Sequence, residues 1–195
     1  PAAILQAPFF SMNAPDALNY GGIGAVIGHE ISHAFDDQGS QYDGDGNLKN
    51  WWTEEDGAAF KDLTTRLIAQ YAQYEPLKGE KVNGELTLGE NIADLGGLRL
   101  AYRAWRMSRA DGDPNGAPEN FPPEPEKRFF FSWATVWRQN ITAKLAAKYI
   151  AVDPHAPCEV RVNGTVSNMP EFVEAFGVRE GDGLFRAEAD RVDIW

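Results

Sequence analysis

His29 and His33 stand four residues apart in the run GHEISHAFDD, from Gly28 to Asp37. On a helix that spacing stacks two imidazoles on one face, where a nitrogen of each can meet a single ion. Glu30 follows His29 directly, turned about 100° round the helix axis, so it flanks such an ion without ligating it. This is the pattern of a zinc hydrolase: two neutral histidines hold Zn2+ at about 2.0–2.1 Å, and the glutamate takes a proton from the bound water. The competing reading is a chance match on an ordinary amphipathic helix. The chain has only three histidines, however, and two of them are here.

Two histidines leave a tetrahedral zinc short of one protein ligand, with one position open for chemistry. Glu90 is the candidate, in the first turn of a second long helix, and Asp94 lies one turn on along the same face. Asp94 is then placed to accept the ring N–H of His29, which fixes its tautomer and raises its basicity. Thr87-x-x-Glu90 can also be read as a capping box. Asp94 beside Glu90 and the two histidines favours the ligand.

These residues need elements to hold them. Residues 1–20 are apolar and punctuated by proline, an irregular segment packed against the helix that follows. Asn19 is a plausible cap for that helix, which ends near Phe35. Gly21, Gly22, Gly24 and Gly28 thin its first turns at roughly 1 kcal/mol each against Ala, so a close approach of another backbone or of a substrate is expected to compensate. QYDGDGNLKN (41–50) invites a calcium reading, but in neither EF-hand register do the required glycine and the final glutamate both fall into place, so it reads as a solvated turn. Thr53, followed by Glu54, Glu55 and Asp56, opens a helix with Phe60, Leu63, Leu67, Tyr71 and Tyr74 on its inner stripe.

Asn83-Gly84 marks a turn, and the helix carrying Glu90 is expected from about Thr87 to Arg109. Residues 111–126 carry five prolines and read as an exposed loop. One long helix is expected from Lys127 to Tyr149, with Phe130, Trp133, Ala134, Trp137, Ile141, Leu145 and Tyr149 inward. Asp153–Pro157 breaks it, Glu159–Val166 reads as extended, and Ser167 caps a small helix that runs through Phe176 to Gly177. The expected fold class is mainly α, within α+β: long helices and a little extended structure.

The totals agree with one folded unit. At 195 residues the chain can bury a sizeable core, and six Trp with eleven Phe mark it as globular. A formal charge of −11 repels phosphate backbones, so nucleic acid is excluded as a partner. No apolar run approaches the ~18 residues of a membrane span. Cys158 is alone, which rules out an intrachain disulfide.

Taken together, NYGGIGAVIGHEISHAFDDQG, LTLGENIADLGGLRLAYRAW and DPHAPCEVRVNG, in this order and at these intervals, resemble the neprilysin family of zinc endopeptidases. That family includes the endothelin-converting enzymes and many bacterial relatives, and the resemblance runs from Pro1 to Trp195. It implies a thermolysin-like catalytic subdomain with one Zn2+ held by His29, His33 and Glu90, Glu30 as general base, and Asp94 orienting His29. It further implies that His155, backed by Asp153, stabilises the oxyanion and that Arg161 holds a substrate carbonyl or carboxylate. Phe9, Val26, Val136 and Trp137 match positions lining the pocket for the residue just after the scissile bond, although a core position explains each of them almost as well.

The family's enzymes are much longer, and this chain looks like their C-terminal part. The lid domain and the edge strand that aligns substrate are expected upstream of it. Lacking the disulfide cysteines of the animal members, the chain looks like a bacterial one. The expected activity is zinc-dependent cleavage of short peptides on the amino side of apolar residues, with an oligopeptide as partner. The alternative is a zinc-stabilised fragment that binds a peptide or partner without cutting it. Self-association is expected through surfaces that the upstream part would cover, including Ile4, Phe9 and Phe10. The resemblance points to an extracytoplasmic or secreted protein, with the cytoplasm open for a bacterial member.

Overall fold

The computed structural model describes residues 2–108 and 121–194. Its centre is helix α4 (Leu88–Ser108), whose buried residues run nearly all round it, as befits a helix enclosed by others. Before it in the chain come α1 (Asp16–Asn19), α2 (Ala25–Ser32) and α3 (Glu54–Tyr71). After it come α5 (Pro125–Val136), α6 (Ala143–Val152), α7 (Cys158–Val166) and α8 (Pro170–Phe176). Apart from two isolated bridges, Tyr42 with Leu48 and Leu77 with Glu80, the described residues form no β-structure, so the fold is mainly α. Among them no helix is long and apolar enough to cross a membrane.

α4 divides two cores. Its later turns place Leu98, Tyr102 and Trp105 against Phe129, Phe130 and Trp133 of α5 and Phe172 of α8. Its first turns place Leu88 and Ile92 against Leu67 and Tyr71 of α3 and Val160 of α7. α2 crosses α4 at a pair of glycines: a Cβ on Gly28 would lie 2.8 Å from Gly97 Cα, so neither residue can carry a side chain at this crossing. The glycines ahead of α2 have related reasons. A Cβ on Gly21 would meet the Phe129 carbonyl, and one on Gly22 would meet Phe9 and Ser132, whereas Gly24 has ordinary clearance. Close backbone approach is the compensation that the glycine-rich turns require.

Several expected boundaries move. The first helix begins at Asp16 and passes through a π-turn at Tyr20–Gly24 before α2 and a 3-10 turn at His33–Phe35. Asn19 therefore sits inside it and is not its cap; its side-chain amide instead bonds both backbone groups of Ser11, at 3.0 and 2.9 Å, and closes the preceding loop. Thr53 caps α3 as expected, accepting from the Asp56 N–H. The turn at 41–50 is organised on Asp43, whose Oδ1 accepts from the backbone of Asp45 and Asn47. Most of the expected loop at 111–126, and Trp195, lie outside the described residues.

The expected helix from Lys127 to Tyr149 is two helices. α5 stops at Val136, where the Arg138 N–H tightens back onto Thr135, and Thr142 in extended conformation caps α6. The inner stripe ends with the break: Ile141, Leu145 and Tyr149 are exposed. Trp137, Ile141, Tyr149, Ile150 and Val162 instead line an open cavity of about 800 Å3. Glu159–Val166 is helical, not extended. Its alternating valines suggested a strand, but Val160, Arg161, Gly164 and Thr165 are the residues that turn inward, which is a helical period. Gly164 lies flat against the Tyr71 ring. Ser167 ends α7 rather than starting α8; the cap of α8 is Met169, with Pro170 in its first turn. Gly177 closes α8 in the left-handed conformation at φ 63°.

Candidate metal centre

The glycine crossing brings the first turn of α4 beneath His29 and His33. Glu90 Oε2 lies 3.2 Å from His29 Nε2 and 3.7 Å from His33 Nε2, and the two Nε2 atoms are 3.1 Å apart. Bonds of about 2.0–2.1 Å to one tetrahedral ion put its ligands about 3.3–3.4 Å from each other, so the triangle has the size of a zinc site. Thr87 does not form a capping box with Glu90: its hydroxyl donates to the Asn83 carbonyl and accepts from Asn91, leaving Glu90 to face the histidines.

Both imidazoles are held from behind. His29 Nδ1 lies 2.8 Å from Asp94 Oδ1, and His33 Nδ1 lies 2.7 Å from Asp36 Oδ2. Asp36 is itself fixed, its other oxygen accepting from the backbone N–H groups of Gln38 and Gly39 at 2.8 and 2.7 Å. With Nδ1 donating to a carboxylate, each neutral ring turns a bare Nε2 lone pair inward. Those two lone pairs converge on the buried Glu90 Oε2. Three acceptors around one point call for a cation, and two imidazoles with one carboxylate suit zinc.

The electrostatics are consistent. Burial opposes the charged form of His29, but hydrogen bonds to Asp94 and Glu90 outweigh it and push the pKa up to about 9. Burial likewise opposes ionisation of Glu90, and hydrogen bonds with His155 and His29 overcome it, holding that carboxyl well below the usual range. Glu30, on α2 beside His29, is exposed and free to approach a substrate.

His155 approaches from the loop before α7. Its Nε2 is 3.1 Å from Glu90 Oε2, its Nδ1 is 2.9 Å from Asp153 Oδ1, and its side chain is 42% exposed. Hydrogen bonding to Glu90, then to Asp153, raises its pKa against the opposing effect of burial. Arg161, expected on a strand, projects from α7 and is buried. It grips Asp94 at two points, Nε to Oδ2 and Nη2 to Oδ1, each 2.7 Å. Burial opposes ionisation of Asp94, and Arg161 outweighs it, keeping the fully enclosed carboxylate charged.

Of the expected pocket residues, Val136 and Trp137 pack at the end of α5 against the main core. Phe9 is half-buried and comes close to α5 at Gly22, where a Cβ would touch both Phe9 and Ser132. Val26 is half-buried on α2. The sequence reading missed Asp36. A carboxylate three residues after a ligand-type histidine, within reach on a tightening helix end, was the available signal.

A model of peptidase family M13 matches residues 1–192. Endothelin-converting enzyme 1 of Bos taurus is 48% identical over 187 residues, covering 94% of this chain and 24% of its own. Neutral endopeptidase of Lactococcus lactis subsp. lactis is 42% identical over 195 residues, covering 100% of this chain and 29% of its own. The crystal structure of Mycobacterium tuberculosis zinc metalloprotease Zmp1 in complex with an inhibitor superposes with a TM-score of 0.92 at 50% identity, over 100% of this chain and 30% of that one. The chain thus spans less than a third of the length of these relatives.

Proposed function

The chain belongs to peptidase family M13, and from that premise we propose that it is the C-terminal, zinc-holding part of an endopeptidase that cleaves short peptides on the amino side of apolar residues. The observation that supports this most is the convergence of His29 Nε2, His33 Nε2 and Glu90 Oε2 beside an exposed Glu30. Zinc bound there would act as a Lewis acid, polarising the scissile carbonyl and lowering the pKa of a water to about 7.

Around that ion each side chain has a task. Glu30 accepts the proton of the attacking water and passes it to the leaving nitrogen. Asp94 and Asp36 hold the histidine rings in the tautomer that leaves Nε2 bare. His155, steadied by Asp153, donates from Nε2 to the carbonyl oxygen as charge builds there, once Glu90 is committed to the ion. Arg161 has no described hydrogen bond from Nη1, which is left to hold a substrate carbonyl or carboxylate. Phe9, Val26, Val136 and Trp137 offer apolar surface for the side chain that follows the scissile bond.

The test pairs metal content with cleavage of a short peptide that has an apolar residue after the scissile bond. The parent should carry one zinc per chain and cut on the amino side of that residue; Glu30→Gln should keep the zinc and lose nearly all turnover. A zinc-loaded parent that binds the peptide but never cuts it would instead be a metal-stabilised binding module.

A further inference from the structure

Trp137 closes α5, and its ring lies against Arg161, whose Cζ is 3.8 Å from the ring centroid. We propose that Trp137 is a positioning residue of the metal centre. Its indole face holds the Arg161 guanidinium in the plane that grips Asp94 through Nε and Nη2, and so aims Asp94 at His29. The inference deepens the peptidase reading and rests on it only for what Arg161 then offers a substrate.

The geometry separates two constraints. Two parallel hydrogen bonds to Asp94 fix the guanidinium within its plane but leave it free to tilt out of that plane. A flat ring at stacking distance removes the tilt. The attraction is strongest where the cation is desolvated and the ring is tryptophan, and Arg161 is 6% exposed. What is stacked is passed along: Arg161 meets both oxygens of Asp94, and Asp94 Oδ1 meets His29 Nδ1 at 2.8 Å. Trp137 is the residue on which α5 ends, one turn after Trp133, whose ring it meets edge-on. Its indole N–H has no acceptor among the described residues, so replacing it with phenylalanine removes no hydrogen bond among them.

The test compares the parent, Trp137→Phe and Trp137→Leu at full length. It reads the zinc dissociation constant by chelator competition, the Arg161 Nε–H signal by NMR, and kcat and KM on a short peptide. The parent should show the Arg161 Hε proton shifted upfield by the indole and protected from exchange. Trp137→Leu should lose that shift and protection, weaken zinc about tenfold or more, and raise KM. Trp137→Phe should keep the protection with a smaller shift and hold zinc within about threefold of the parent. Equal losses in the two variants would overturn the proposal in favour of simple packing, as would an unmoved Arg161 signal in Trp137→Leu. Should Trp137→Leu not fold, Trp137→Phe decides against the parent: an Arg161 Hε shift identical in the two means the indole does not face it. If the zinc-loaded parent cuts no peptide, the peptidase reading fails while the zinc constant and the Arg161 signal still judge Trp137.

Discussion

Gly28 and Gly97 touch backbone to backbone where α2 crosses α4, and the proposed zinc site depends on that contact. A Cβ on Gly97 would enter the backbone at His29, the first ligand. Overpacking of this kind costs about 1–3 kcal/mol, and here the displaced residue is the one that must meet Glu90. Gly97→Ala and Gly28→Ala should each lower the melting temperature and weaken zinc binding together. Chelator competition and thermal unfolding at matched zinc check it: a loss of stability with unchanged zinc affinity would mean that the crossing serves packing alone.

Glu90 joins α4 to the histidines beside α2, so an ion held there would tie two helices. Glu90→Ala should abolish tight zinc binding, and stripping zinc from the parent should lower its melting temperature. The shift should grow with free zinc as binding to the native state alone requires, about 2.7 kcal/mol at a hundredfold excess over Kd. Calorimetric scans across a zinc titration measure it.

Asp36 and Asp94 look alike from the ion, each holding one Nδ1, but they are not equivalent to the fold. Asp36 leaves backbone amides behind it, whereas Asp94 is the two-point partner of buried Arg161. Asp36→Ala should cost roughly 10–100-fold in zinc affinity with modest loss of stability. Asp94→Ala should lose comparable affinity and also about 3–5 kcal/mol of stability, because it strands a buried guanidinium. Sequence spacing alone suggests that Asp94 acts only on His29 and so underrates it; denaturant unfolding of the two variants settles the order.

What could be read in the sequence was what depends on local spacing. His29, Glu30 and His33, then Glu90 with Asp94, each lie within one or two turns of a single helix, and the structure brings His29, His33 and Glu90 together. Thr53 caps α3 as its side-chain chemistry predicts, and α4 starts one residue from the expected Thr87. The break after Val136 was hidden because Ile141, Leu145 and Tyr149 continue the helical period that a buried stripe would show; Ile141 and Tyr149 line a cavity instead, and Leu145 is exposed. Glu159–Val166 reads as extended but is helical, since the alternation of Val160 and Val162 over so few residues occurs as readily on a helix. The grip of Arg161 on Asp94 joins residues 67 apart in the chain, which no local pattern can reveal.

His155 poses the sharpest question at the centre, because its Nε2 is as near Glu90 as His29 Nε2 is, at 3.1 against 3.2 Å. Two tasks would explain that distance, a fourth ligand or a hydrogen-bond donor, and they differ in what its removal does. A ligand would take the zinc with it. A donor would leave the zinc and cost the stabilisation of developing charge, by analogy about 10²–10³ in kcat. The surroundings favour the donor: His29, His33 and Glu90 already supply the three protein ligands of a tetrahedral catalytic zinc, which leaves the fourth position to water or substrate. Its side chain is also far more exposed than that of His29, 42% against 8%, as suits a group that swings toward substrate. His155→Gln should therefore retain one zinc per chain and leave KM nearly unchanged while kcat falls by that factor. Loss of zinc in the purified variant would make His155 a ligand and close the open position that the chemistry needs.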